Sequence, residues 1–460
     1  MILDESEADE MEILAGGNWN RERWWYRLIQ VCRRWRYLVL ESAHYLQVSL
    51  VCARGTPVAD MLKHSPPLPL IIDHIDDEYH DLTAEDEEGI NLALKHRGRV
   101  RRIRIMKSIP ILRNLITALD GEFPILEYLF IQYQRYHKVS IKHIANLSVP
   151  ETFRAPHLRQ LALENFAIPI ESPLLTNPEN LVDLSLSGIP SSVYFRPNVL
   201  LQRLTLMPRL ETLGIDFNCY IPSRDVEREL LPMPIMTRVT LPNLRWLGFR
   251  GTNDYLEALL PHLTIPLLEK LQVYFFNRMI YSIPHLRQLM SAARNLRIKT
   301  ATFSFRRDCL NVKAYPHKGA GLYSLTTELG GRHLDWQVVS AVQVFHALRT
   351  VFSAVEDLVL EYNRRFMSSE WTNEADRTNW RELLGSFGNV KTLTMDGDLV
   401  EQLSRALQPD EEESSTELLP ELKEISYSVI GAPNNAFTQF VDARRKAGHP
   451  VAVLQKDQQY

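Results

Sequence analysis

The densest run of side chains that could do chemistry is Asp73-His74-Ile75-Asp76-Asp77-Glu78-Tyr79-His80-Asp81. Carboxylates and imidazoles at that density suit a divalent cation and a metal-activated water. A hard cation needs several oxygens converging at ~2.0–2.6 Å, and this run has no glycine to turn it around an ion. It reads as a solvated acidic loop. The four cysteines, Cys32, Cys52, Cys219 and Cys309, are scattered and form no Cys-x-x-Cys pair. That spacing does not suit zinc, and free thiols buried in the core are the expectation. No Gly-rich phosphate cradle, no His-Glu-x-x-His helix and no Gly-x-Ser-x-Gly nucleophile turn occurs in the sequence. The reading is therefore of no catalytic residues, no cofactor and no metal: a binding protein rather than an enzyme.

Charge narrows what could be bound. Lys plus Arg is 52 and Asp plus Glu is 56 in 460 residues, a net charge of −4. Nucleic-acid binding needs a basic footprint that displaces counterions, so it is not expected. Arg97, Arg99, Arg101, Arg102, Arg104 and Lys107 form one local basic run, read as the solvated face of a strand. The first dozen residues carry Asp4, Glu5, Glu7, Asp9, Glu10 and Glu12, the opposite of a secretory signal. No stretch approaches the ~20 apolar residues of a membrane span; residues 338–360 read as a soluble helix leading into a strand. These features predict protein partners, no membrane, and a cytoplasmic or nuclear location.

The elements that must position any site come from a repeat. One phrase returns along the chain: a leucine, two residues, a leucine, one residue, a leucine. Leu126-Glu127-Tyr128-Leu129-Phe130-Ile131 and Leu158-Arg159-Gln160-Leu161-Ala162-Leu163 are copies. Others begin at Leu181, Leu210, Leu244, Leu268, Val355, Val390 and Leu422, with weaker ones at residues 100–105 and 296–303. Alternate side chains of a strand face one way, so the last two apolar residues of the phrase share a buried face. Each unit needs a neighbour on either side to complete its core.

Between the phrases lie helical stripes, among them Leu112, Leu115, Ile116 and Leu119, and Leu256, Leu259, Leu260 and Leu263. Leu286, Leu289 and Met290, then Val338, Val342 and Phe345, then Leu399, Leu403 and Leu407 continue the series. The predicted fold is an α/β repeat, an irregular leucine-rich-repeat solenoid with parallel strands on the concave face and helices on the convex face. The predicted organisation is an acidic disordered start at residues 1–18, a helical segment at 19–50, repeats over 51–450 and a frayed tail at 451–460. Insertions are expected near 305–335, 363–380 and 408–416. Tyr128, Phe130, Arg245, Trp246 and Tyr274, read as outward strand residues on the concave face, are the candidate partner-binding set, because aromatics and Arg concentrate binding energy.

Trp24, Leu28, Val31, Cys32, Trp35 and Val39 fall on one face of a single predicted helix, with Arg27, Arg33, Arg34 and Arg36 on the other side. From periodicity alone, that stripe caps the open end of the repeat array. The Val31-Cys32-Arg33-Arg34-Trp35-Arg36 run also resembles the last helix of an F-box. The chain as a whole resembles the F-box-like leucine-repeat proteins of mushroom-forming fungi. Gly55-Thr56-Pro57 and Pro67-Leu68-Pro69-Leu70-Ile71 match the turn and strand that follow there. An F-box opens with a Leu-Pro-x-Glu phrase that does not occur between Asp4 and Asn20, so its first half is degenerate or missing. The resemblance implies docking on the adaptor subunit of a cullin-RING ubiquitin ligase through Leu28, Val31, Cys32, Trp35 and Leu38, with the repeats holding the target protein. The other reading is a leucine-repeat scaffold without a ligase role.

Overall fold

The structure is a computed structural model that describes residues 24–43, 45–46, 48–75, 82–133, 147–190, 193–217, 238–276, 282–362, 375–408, 418–428 and 435–455. The chain divides into two compact units, Met1–Thr237 and Arg238–Tyr460.

The first unit starts with two short helices, α1 (Trp24–Val31) and α2 (Arg33–Glu41). Strands and helices then alternate: β1 (Leu50–Cys52), α3 (Val58–His64), β2 (Leu70–Ile75), α4 (Ala84–Lys95), β3 (Val100–Lys107) and α5 (Ile109–Ala118). β4 (Tyr128–Tyr133), β5 (Gln160–Glu164), α6 (Pro173–Thr176), β6 (Asp183–Ile189), α7 (Pro197–Leu204) and β7 (Thr212–Phe217) follow. These strands pair in chain order and all in parallel. Register explains the phrase. Ile72, Ile103, Leu129, Leu161, Leu184 and Leu213 stand side by side across the sheet, and every one is buried. The entering leucines Leu126, Leu158, Leu181 and Leu210 are buried too. Each such side chain contributes about 1.5–3 kcal/mol on burial, which fixes the register, since a one-residue slip would turn the whole row outward.

The second unit contains β8 (Val239–Thr240), β9 (Trp246–Gly251), α8 (Asn253–Leu259), β10 (Leu263–Thr264), β11 (Lys270–Phe275), α9 (Pro284–Ala292) and β12 (Thr300–Phe305). β13 (Cys309–Tyr315), β14 (Leu325–Gly330), α10 (Leu334–Ala347), α11 (Arg349–Phe352), β15 (Asp357–Tyr362) and α12 (Arg377–Leu384) come next. β16 (Thr392–Asp396), α13 (Val400–Leu407), β17 (Glu424–Ser428), α14 (Asn435–Lys446) and β18 (Ala452–Gln455) complete it. The strand order is β9-β11-β14-β13-β12-β15-β16-β17-β18, with β8 and β10 paired separately. β13 is antiparallel to both its neighbours; the other pairs within the unit are parallel.

The repeat signature appears in the backbone as well. Just ahead of several strands, one carbonyl accepts the N–H groups of two successive residues of the next repeat. Glu127 O takes Arg159 and Gln160, Arg159 O takes Val182 and Asp183, and Val182 O takes Glu211 and Thr212. In the second unit Arg245, Lys299, Glu356 and Lys391 carbonyls do the same. This ladder satisfies backbone groups that the tight entry turn would otherwise bury unpaired.

Most of each helical stripe is where periodicity puts it: Leu112 and Leu115, Leu256 and Leu259, Leu286 and Met290, Val338 and Phe345, and Leu403 and Leu407 are helical and buried, whereas Leu263 falls in β10 and Leu399 in the turn ahead of α13. They meet the strands' apolar faces. Phe303 of β12 lies 4.8 Å from Phe345 of α10, ring to ring, and Phe305 lies 5.4 Å from Trp380 of α12.

Side chains also tie one helix to the next. Both oxygens of Glu257 on α8 accept N–H groups at the start of α9, from His285 at 2.9 Å and Leu286 at 3.0 Å. Arg377 and Arg381 on α12 reach carbonyls at the end of α13, at Arg405, Ala406 and Gln408. These are the orphan groups of helix termini.

Two expected boundaries are corrected. The insertion expected over 305–335 is an antiparallel excursion that joins the sheet as β13 and β14: Leu310, Val312 and Ala314 are buried and give β13 the same apolar face as its neighbours. Residues 377–380, the end of the loop expected over 363–380, belong to α12 (Arg377–Leu384), which Asp376 caps by accepting from Thr378 N at 2.7 Å; residues 363–374 lie outside the described residues. The tail is ordered as β18 over Ala452–Gln455, paired to β17. The expected disordered start and most of the 408–416 linker lie outside the described residues.

Candidate partner-binding surfaces

The N-terminal segment departs from the single helix that its periodicity predicts. Cys32 has φ −161° and ψ 173°, an extended conformation between α1 and α2. Arg36 Nε donates to Ile29 O at 3.2 Å, covering one of the carbonyls left open where α1 ends. The pair is anchored by Trp25 and Val39, both buried. The Trp25 indole N–H donates to Ser49 O at 3.2 Å, and its ring stacks on Tyr26 at 4.2 Å.

Breaking the helix splits the stripe. Val31 is 64% exposed, Trp35 46% and Leu38 51%; Cys32 is exposed and Leu28 half-buried. The expectation that this stripe is buried against the repeats is therefore overturned, as is the expectation that Cys32 is a core thiol. A straight-helix template starting at Trp24 also missed the true anchor, Trp25. Tyr37 and Tyr45, which the stripe did not include, are exposed as well, at 64% and 88%. Around these rings stand Arg27, Arg33, Arg34 and Arg36, all exposed. The segment thus presents a contiguous run of aromatic, aliphatic and guanidinium groups, the composition of a protein-docking surface.

The predicted strand-face set divides. Tyr128 and Phe130 are buried, so they are not available to a partner in this structure. The Arg102 guanidinium lies over the Tyr128 ring, 5.3 Å from its centroid. Arg104 pairs with Asp73 at 3.1 Å. Burial pushes the Tyr128 hydroxyl up to about 12, against the opposing pull of Arg104 and Arg102. Burial likewise raises the Asp73 carboxyl, more than Arg104 lowers it.

Trp246 and Tyr274 are half-buried on the helix-free face of β9 and β11. The Trp246 ring lies along its own strand over Gly248, where a Cβ would sit 2.4 Å from Trp246 Cη2. Arg250 stands 6.0 Å from the Tyr274 ring centroid, and Gln272 Nε2 donates to the Tyr274 hydroxyl. Arg245 is exposed but lies ahead of β9 in the backbone ladder, its guanidinium paired with Glu269. It belongs to the repeat junction rather than to the face.

The chemically suggestive runs also resolve. Asp73 and His74 are buried within β2, not in a solvated loop; residues 76–81 lie outside the described residues. The arginine run disperses. Arg99 donates to Leu68 O and Pro66 O, Arg101 pairs with Glu127 at 2.9 Å, and Lys107 is buried. Cys52 is buried, Cys219 lies outside the described residues, and burial, with Glu328 nearby, pushes the Cys309 thiol up to about 12. Among the described residues no three His, Cys, Asp or Glu side chains gather as a metal site, and no helix is long and apolar enough to cross a membrane.

Fold and surfaces together define an α/β protein with mostly parallel sheets and an exposed N-terminal helix pair. No family model matches the chain, and no curated protein matches it. Among solved structures it is similar to a chain in the crystal structure of the Rad7 and Elc1 complex in yeast. The identity is 12% and the TM-score 0.28, over 92% of this chain and 90% of that chain. A likeness that low establishes neither a shared fold nor a shared role.

Proposed function

We propose that this chain is a protein-interaction scaffold acting as a substrate receptor of a cullin-RING ubiquitin ligase. Its helix pair α1–α2 docks on the ligase adaptor subunit, and its leucine-rich-repeat solenoid holds the target protein. The observation that carries the reading is the exposure of Val31, Trp35, Tyr37 and Leu38 beside four arginines on a helix pair pinned by Trp25. A segment that served only to close the end of the repeats would turn these side chains inward. The resemblance of residues 24–39 to an F-box supplies the adaptor as the partner, and the strand–helix units with their backbone ladder support the repeat reading.

The test is co-purification of the tagged chain with the adaptor. The wild type should retain it stoichiometrically. Val31→Glu/Leu38→Glu, which alters two exposed side chains and leaves Trp25 and Val39 in place, should lose it while melting within about 1 kcal/mol of the wild type. A wild type that captures no adaptor leaves the alternative, a repeat scaffold without a ligase role.

A further inference from the structure

We infer that the helix-free face of β9, β11, β14 and β13 takes an extended acidic segment of the target protein. This deepens the proposed function by naming what the repeats hold, and it rests on that reading. Register sets the face. Trp246 stands beside Lys270; Gly248, Gln272, Thr326 and Lys313 form the next row; Arg250, Tyr274, Glu328 and Asn311 form the row after it. Lys270, Gln272, Tyr274, Lys313 and Arg250 are half-buried there.

Three cations against the one carboxylate of Glu328 favour a negatively charged occupant, and Trp246 and Tyr274 supply ring surface beside them. The same face changes sign further along. The rows continue to Asp357 and Glu361 on β15 and to Glu424 on β17, which would repel an acidic chain and end its path at β12. A nucleic acid fits less well, because Glu328 stands among only three cations and a phosphate backbone gains affinity with each charge it neutralises.

Fluorescence anisotropy of a labelled octaglutamate peptide, with octalysine as its control, tests the inference. Octaglutamate should bind saturably and octalysine should not. Lys270→Glu/Lys313→Glu should weaken octaglutamate binding tenfold or more, and Lys270→Gln/Lys313→Gln should weaken it by less. The glutamine variant decides the matter if the charge reversal fails to fold. Absence of saturable octaglutamate binding, equal binding of octalysine, or binding unchanged in both variants overturns the inference. Adaptor capture is measured on the same proteins. Capture without peptide binding sinks this inference and leaves the ligase reading standing; peptide binding without capture does the reverse.

Discussion

At the residue scale, Asp86 does two tasks at once. As the third residue of α4 it accepts from the Thr83 hydroxyl at 2.8 Å while Thr83 Oγ accepts Asp86 N–H at 3.1 Å, a reciprocal cap. Its other oxygen takes the Gly55 N–H at 2.8 Å, holding the tight turn where Gly55 has φ +68°. Burial pushes the Asp86 carboxyl up, but the hydrogen bonds from Gly55 and Thr83 outweigh it and hold it below the ordinary carboxylate value. A depressed folded value means stability that is present above the unfolded pKa of ~3.9 and is lost as pH falls through the folded value. Asp86→Asn should therefore cost about 1–2 kcal/mol at neutral pH. Urea titrations should show that difference shrinking below pH ~4; a difference constant from pH 7 to pH 3 would contradict the assignment.

Gly188 is a second residue-scale constraint. It has φ +65°, and a Cβ there would lie 2.4 Å from Asn165 Oδ1, at the bulge where β6 shifts register. Gly188→Ala should destabilise by about 1–3 kcal/mol, read as a shift in the urea midpoint.

At the element scale, the helix-to-helix ties make each repeat depend on its neighbour. Glu257→Ala removes two charge-assisted hydrogen bonds from the start of α9, and a loss of about 1–3 kcal/mol follows. Hydrogen exchange should speed up at His285 and Leu286 before it does in the strands. In the core, Phe345 touches Phe303, Phe352 and Phe387, so Phe345→Ala should cost about 3–5 kcal/mol by calorimetry or urea.

This is also the scale at which the sequence was most and least readable. The leucine phrase located β4, β5, β6, β7, β9 and β11, because a period of two on a buried face has one solution. Thr252 caps α8, accepting from Tyr255 N at 3.4 Å, and its residue type, with Asn253 and Asp254 after it, is the kind that starts a helix. The break at Cys32 was not readable: no proline or glycine marks it, and residues 24–39 keep a helical period across it. The place of β13 within the sheet was hidden too, since antiparallel insertion follows from its long-range partners rather than from its own pattern. Tyr128 and Phe130 were misplaced for a related reason. Alternation says which side of a strand a residue faces, not whether that side reaches solvent.

At the scale of the whole molecule, the described residues build surface on one repeated backbone unit. Its backbone ladder recurs in both units, from Glu127 O to Lys391 O, so the strand–helix unit is the common building block. The proposed function places binding where the repeat is broken or decorated: the helix pair ahead of β1, and the charged, aromatic face around Trp246 and Tyr274. The strand register, which the leucine phrase does not reveal, places Lys270, Gln272 and Lys313 on one face.

The central claim is that α1–α2 faces a partner. Co-purification of the full chain with the ligase adaptor, comparing wild type with Val31→Glu/Leu38→Glu, tests it most directly. The account predicts stoichiometric adaptor with the wild type and none with a variant that retains its melting transition. Equal capture by both proteins, or capture by neither, would contradict it.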